Sequence, residues 1–235
     1  MITPRSGPSS FRRALALAIA LATMLLAQPA IAQDAPPRLV QCSPDGSLCF
    51  ELTTTAGIAT YRVLRGGEEV IAPSKLGFRL RGAGKWEAGM TLGEPTRSSH
   101  DETWEQPWGE NRLVVDRHNA MRVPITESGK TRRRIDLVAR VFDDGVGFRY
   151  EFPDQPQLSD VKIDEELTEF DIAGDAKAWW IPGGEWNRYE YLYKATPANQ
   201  VGTAHSPITF RRADGLHIAI HEAALDDYSG FWLQR

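Results

Sequence analysis

The chain has 235 residues, 42% of them hydrophobic and 25% charged, with a formal net charge of −4. These are globular proportions, and they exclude a disordered chain, a collagen-like repeat and a bundle of membrane helices. Arg5, Arg12 and Arg13 precede an uncharged apolar run from Ala14 to Leu26, and Ala30-Ile31-Ala32 supplies a small-x-small cleavage site. Residues 1–32 therefore read as a signal peptide cut after Ala32, too short and wrongly flanked for a transmembrane anchor. A periplasmic or secreted protein with no membrane span after cleavage is expected. Cleavage removes three basic residues and no acidic ones, leaving 203 residues with 24 basic against 31 acidic side chains, a net charge of −7. No basic excess remains to neutralise phosphates, which excludes nucleic acid as a partner. Residues 33–235 can fill one all-β domain but not an added (β/α)8 barrel, which alone needs roughly 250 residues.

In chain order, Cys42 and Cys49 flank Ser43-Pro44-Asp45-Gly46, where proline presets φ and glycine supplies φ > 0. With Asp45-Gly46 as a two-residue loop, Cys42 and Cys49 fall opposite each other. They are then placed to bridge in an oxidising compartment, the alternative being two half-buried thiols. Leu48 to Thr53 reads as a strand. Thr60 to Leu64 and Glu69 to Ile71 flank Gly66-Gly67 as a hairpin, and Gly77 to Arg81, Leu113 to Val115 and Met121 to Val123 read as further strands. Arg134 to Phe142 alternates with period two, Asp143-Asp144-Gly145 turns it, and Val146 to Phe152 returns. Val161 to Phe170, Ala176 to Ile181 and Leu216 to Ile220 complete the set. Many short strands without helical periodicity predict an all-β, antiparallel sandwich.

One segment breaks the rhythm. From Pro182 to Pro207 strand signals lapse, and Trp186, Tyr189, Tyr191 and Tyr193 crowd eight residues. A long loop held by its own aromatics and presenting carboxylates is expected there. Near the end, the apolar run Phe231-Trp232-Leu233 opens just before Arg235, and a continuation of the chain beyond that point is expected.

No GxSxG, HExxH, P-loop or CxxC pair is present, and the five histidines are scattered. Three carboxylate clusters remain. Asp101, Glu102, Glu105 and Glu110 surround Trp104 and Trp108, the residue types that stack a sugar face and bind its hydroxyls. The plainer expectation there is that both tryptophans anchor the core and the acids are solvated. Glu185 and Glu190 lie in the aromatic loop beside Trp186. Hard cations such as Ca²⁺ need several oxygens, more than these two can give. His221-Glu222 closes a strand, where neighbours point to opposite faces, and a histidine bonded to backbone is the plainer expectation.

Several strings together resemble the N-terminal domain of glycoside hydrolase family 97. They are Asp101-Glu102-Thr103-Trp104 with Trp108-Gly109-Glu110, Asn119, Phe142 through Phe152, Trp180-Ile181-Pro182-Gly183, Glu190-Tyr191-Leu192-Tyr193, and His221-Glu222-Ala223-Ala224-Leu225 with Tyr228. Ser43-Pro44-Asp45-Gly46 and Pro73-Ser74-Lys75-Leu76-Gly77 match too. The resemblance implies a mutarotase-like β-supersandwich followed by a (β/α)8 barrel that this chain lacks. It implies an exported α-glucosidase or α-galactosidase acting on an oligosaccharide or α-glycoside. It also implies an active-site Ca²⁺, with one glutamate given by a loop of the sandwich. The Glu-Tyr-x-Tyr match puts that ligand at Glu190, with one residue inserted after Gly183, and Glu185 is the alternative. The family's catalytic carboxylates sit on the barrel, so no catalytic residue is assigned here. Trp186, Glu185, His221 and Glu222 are candidate substrate contacts. Two competitors are a stand-alone carbohydrate-binding module and a mutarotase-like epimerase using His221 with Glu222.

Overall fold

Alternation of apolar and polar residues becomes alternation of buried and exposed ones. In the strand Ile58–Arg65, Ala59, Tyr61 and Val63 point inward while their neighbours face out. The computed structural model describes residues 38–82, 84–226 and 228–235. The signal-peptide reading falls outside the described residues. The strands are Arg38–Cys42 (β1), Leu48–Thr55 (β2), Ile58–Arg65 (β3), Glu68–Lys75 (β4), Phe78–Leu80 (β5), Gly84–Trp86 (β6), Met90–Leu92 (β7), Thr96–Glu105 (β8) and Leu113–Glu127 (β9). Arg134–Val141 (β10), Val146–Glu151 (β11), Ile163–Glu166 (β12), Ala176–Trp180 (β13), Lys194–Pro197 (β14), Ala204–His205 (β15), Ile208–Arg212 (β16), His217–Ile220 (β17) and Trp232–Leu233 (β18) follow. Among the described residues there is no α-helix, only two short 3-10 turns.

All strand pairs are antiparallel. One sheet runs β1-β2-β3-β4, and a second runs β11-β10-β9-β7 with β8 added along β9. Smaller sheets are β12-β5-β6, β14-β13-β16-β17 and the pair β15-β18. Phe50, Leu52 and Tyr61 of the first sheet bury against Met121, Val123, Ile125, Ile135 and Leu137 of the second, with Phe78 and Trp86 in the same core. A separate cluster of Ala178, Trp180, Ile208, Phe210 and Ile220 underlies the β13-β16 sheet. Phe170 and Ile172 pack against both cores. Their segment is tied to β4 where Ala72 N–H donates to Asp171 O at 2.8 Å and Ala173 N–H to Val70 O at 3.1 Å.

The sandwich expected from the sequence is present, with informative differences. The two strands expected over 113–115 and 121–123 are one 15-residue strand, β9. Its partner β8 is exposed at all ten positions, so it carries no alternation to detect. Cys42 and Cys49 pair across β1 and β2 and are joined by a disulfide. The turn between them is not the two-residue Asp45-Gly46 loop. Gly46 N–H donates to Ser43 O at 3.0 Å, which centres the turn on Pro44-Asp45, and Gly46 follows at φ 76°.

Much of the motif content is turn chemistry. Asp143 Oδ1 accepts the Asp45 N–H at 2.9 Å and its Oδ2 accepts Arg117 at 2.6 Å, docking the β1–β2 turn on the β10–β11 turn. Asp45 is held well below the usual carboxylate range by hydrogen bonds from Ser43 and Ser47. Asn119 donates to Cys42 O at 3.0 Å and accepts from Ser99 at 2.7 Å. In the closing apolar run, Trp232 and Leu233 pair back onto His205 and Ala204.

Candidate functional site

The lapse in strand signals from 182 is real, but it is shorter than expected, because β14 and β15 resume the strands within it. Residues 182–193 form an open loop between β13 and β14. It leaves the sheet where Gly183 N–H donates to Thr203 O at 2.9 Å and His205 N–H donates to Ile181 O at 3.0 Å. A Cβ on Gly183 would lie 3.2 Å from Ala204 C and 3.3 Å from His205 N, tight contacts with backbone that would push the two segments apart by a few tenths of an ångström.

Beyond Gly183 the loop turns outward. Glu185 and Trp186 stand at its outer bend, with Trp186 89% exposed. Tyr189 comes back to the body. Its hydroxyl donates to Ser206 O at 3.2 Å, and its ring lies 4.7 Å from that of His205. Glu190 follows at the apex of a tight turn in which Tyr191 N–H donates to Tyr189 O at 2.9 Å. Its carboxylate is exposed and makes no ion pair with any described residue. Arg188, the nearest cation in sequence, instead lies 4.6 Å over the Tyr191 ring. The aromatics do not close over the loop as expected, since Leu192 (90% exposed) and Tyr193 also face solvent.

His221 and Glu222 follow β17. His221 Nδ1 lies 2.9 Å from Glu222 O, the backbone-bonded arrangement expected for a strand-end histidine. Glu222 faces inward: Oε2 accepts from Ser206 Oγ at 2.5 Å and Oε1 from the Phe231 N–H. Both oxygens are thus engaged within the domain. Tyr228 donates to Glu166 Oε2 at 2.6 Å, and burial with this contact raises its pKa. Two of the sequence candidates, Glu185 and Trp186, therefore share the open loop with Glu190, whereas Glu222 belongs to the platform under it. Tyr189, His205 and Ser206 were not singled out from the sequence. Tyr189 had a signal in the aromatic string, but Ser206 lies 17 positions from it and shows only in three dimensions.

The Trp104 cluster corrects an expectation. Trp104 is 45% and Trp108 81% exposed, on and beyond a strand whose every position faces water. Neither anchors the core, a task that falls to Trp86. Among the described residues no three His, Cys, Asp or Glu side chains converge into a group able to hold a metal ion. Among them, too, no helix is long and apolar enough to cross a membrane.

The described residues thus form an all-β, antiparallel sandwich with an open loop that carries acids and aromatics. The family described as glycosyl-hydrolase 97 N-terminal matches residues 42–235, and the chain belongs to it. It is 31% identical to a probable retaining alpha-galactosidase of Streptomyces bingchenggensis, covering 94% of this chain and 37% of that protein. Against a retaining alpha-galactosidase of Bacteroides thetaiotaomicron it is 22% identical, covering 85% and 31%. Structures of a glycoside hydrolase family 97 enzyme from Pseudoalteromonas sp. strain K8, one in complex with panose and one with acarbose, match at a TM-score of 0.80 and 38% identity. Each match covers 84% of this chain and 30% of that one. The chain thus spans about a third of the length of these relatives.

Proposed function

We propose that this chain is the N-terminal sandwich of an exported, calcium-dependent α-glycosidase acting on an oligosaccharide or α-glycoside. In this reading it lies against the catalytic barrel and lends Glu190 to a Ca²⁺ whose other ligands the barrel supplies. One observation carries it: Glu190 is an exposed carboxylate at a turn apex, beside an anchored residue, with no cation of its own among the described residues. A single hard oxygen of this kind suits one position in a six- to eight-oxygen shell built mainly by a neighbour. The absence of any three-ligand group among the described residues is consistent with a shared rather than a self-contained site. Bound there, Ca²⁺ would orient sugar hydroxyls and stabilise charge developing at the scissile bond. Glu190 would contribute one oxygen, Trp186 an apolar wall for a sugar face, and the loop backbone their spacing. Hydrolysis itself needs two carboxyl groups flanking the bond, which this chain is not proposed to supply. Export by residues 1–32 and cleavage after Ala32 belong to the same proposal, and the Cys42–Cys49 disulfide supports an oxidising destination.

The test is Glu190→Gln in a polypeptide extended through the catalytic portion. The Ca²⁺ requirement should rise and kcat fall while the circular dichroism spectrum stays the same. An unchanged requirement with Glu190→Gln, and a raised one with Glu185→Gln, would move the ligand to Glu185. An unchanged requirement in both would end the calcium reading. A stand-alone carbohydrate-binding module is separated by calorimetry: sub-millimolar binding of panose to this chain alone would favour the module.

A further inference from the structure

Residues 185–193 carry the loop's chemistry, yet no backbone hydrogen bond ties them to a strand among the described residues. Among the described residues their one side-chain hydrogen bond to the body is made by Tyr189, whose hydroxyl donates to Ser206 O at 3.2 Å. The Tyr189 ring also packs on His205, whose ring lies 5.8 Å from that of Trp232 and nearly perpendicular to it. Ser206 is held from the other direction, its hydroxyl donating to Glu222 at 2.5 Å. Glu222 in turn accepts the Phe231 N–H, next to β18. A continuous chain of contacts therefore runs from the C-terminal strand pair through Glu222, Ser206 and Tyr189 to the turn that bears Glu190.

We propose that Tyr189 is a positioning residue that aims Glu190, and that Glu222 acts through Ser206 to hold its seat. This assignment rests on the reading of Glu190 as a cation donor. It gives Glu222 a role other than substrate contact. An exposed loop of nine residues samples many conformations, and a carboxylate completing a shared cation shell gains affinity when its orientation is set beforehand. Losing the anchor leaves the donor in place but lowers the fraction of time it points correctly.

Amide hydrogen exchange of this chain without Ca²⁺ reads the anchor directly. Tyr189→Ala should speed exchange of the Arg188 and Tyr191 amides, the two in the loop that bond to backbone oxygens, by roughly tenfold, the effect of one lost hydrogen bond and its packing. Tyr189→Phe keeps the ring on His205 and should speed it less. Ser206→Ala breaks the link to Glu222 without burying a new charge and should also loosen the loop. Leu192→Ala, on a side chain that faces water, serves as the reference and should change nothing. Unchanged exchange in Tyr189→Ala overturns the proposal, and unchanged exchange in Ser206→Ala overturns the part given to Glu222.

In the polypeptide extended through the catalytic portion, Tyr189→Ala should weaken Ca²⁺ binding roughly tenfold. Turnover should return at saturating Ca²⁺, and Tyr189→Phe should restore most of the affinity. A merely structural defect would not be rescued by Ca²⁺. Faster exchange with unaltered Ca²⁺ binding in Tyr189→Ala, alongside weakened binding in Glu190→Gln, would overturn the positioning role alone. Unaltered binding in Glu190→Gln would instead remove the donor reading on which it rests.

Discussion

Trp86→Ala is expected to cost more stability than Trp104→Ala, although the aromatic-acidic string around Trp104 is the more conspicuous in the sequence. Trp86 is 0% exposed, and Arg133 covers its ring at 5.2 Å. Burying a tryptophan removes about 150–250 Å² of surface, worth about 4–6 kcal/mol at about 25 cal/mol per Å². That is an upper figure, because an unfolded chain is already partly compact. Truncations in packed cores cost about 3–5 kcal/mol, which is the expectation for Trp86→Ala. Trp104 keeps 45% of its surface in water and would leave no closed cavity. Its loss should cost about 2–3 kcal/mol at most. Trp86→Phe retains most of the buried ring and should cost about 1–2 kcal/mol. Urea unfolding followed by far-ultraviolet circular dichroism measures all three, with the slope checked for constancy so that midpoints convert to free energy. Equal losses at Trp86 and Trp104 would refute the assignment of the core.

Two further predictions concern the scaffold. Asp136, buried near the start of β10, accepts from Arg134 at 2.7 Å and from Arg122 at 3.1 Å. Burial pushes its pKa up, but the two guanidinium contacts outweigh that and hold it below the ordinary aspartate value. A depressed folded pKa stabilises the fold above the unfolded value of about 4, and that contribution is lost as pH falls through the folded value. Asp136→Asn removes charge-assisted contacts from two half-exposed guanidiniums, of which Arg122 keeps Glu151, so it should cost about 2 kcal/mol at pH 7 and should flatten the acid limb of a stability–pH curve. An acid limb as steep as in the parent would contradict it. The Cys42–Cys49 bridge closes a loop of sequence separation 7, so replacing both cysteines by alanine should cost about 2 kcal/mol in thermal or urea unfolding. Because Ser43, Asp45 and Asp143 hold the turn independently, the β1–β2 register should survive.

How much of this was legible follows from where the information lies. The β10–β11 hairpin was legible because its apolar period and its Asp-Asp-Gly turn act over neighbouring residues. The facing of Cys42 and Cys49 followed from turn length and pleat, even with the turn centre misplaced by one residue. β8 was invisible because a strand exposed at every position needs no hydrophobic pattern, only a partner. The loop was visible as composition, in the crowding of tyrosines beside acids, whereas Glu190 was singled out only by the family resemblance.

What the chain alone determined was therefore local: periodicity, turn residues and the all-antiparallel class, each set by contacts within a few residues. The tertiary structure decided what depends on distant partners. It placed Trp86 rather than Trp104 in the core, turned Glu222 inward onto Ser206, and seated Tyr189 on His205, 16 positions away. Burial is a property of a packed surface and an anchor is a property of two segments, so neither exists until strands far apart in sequence have met.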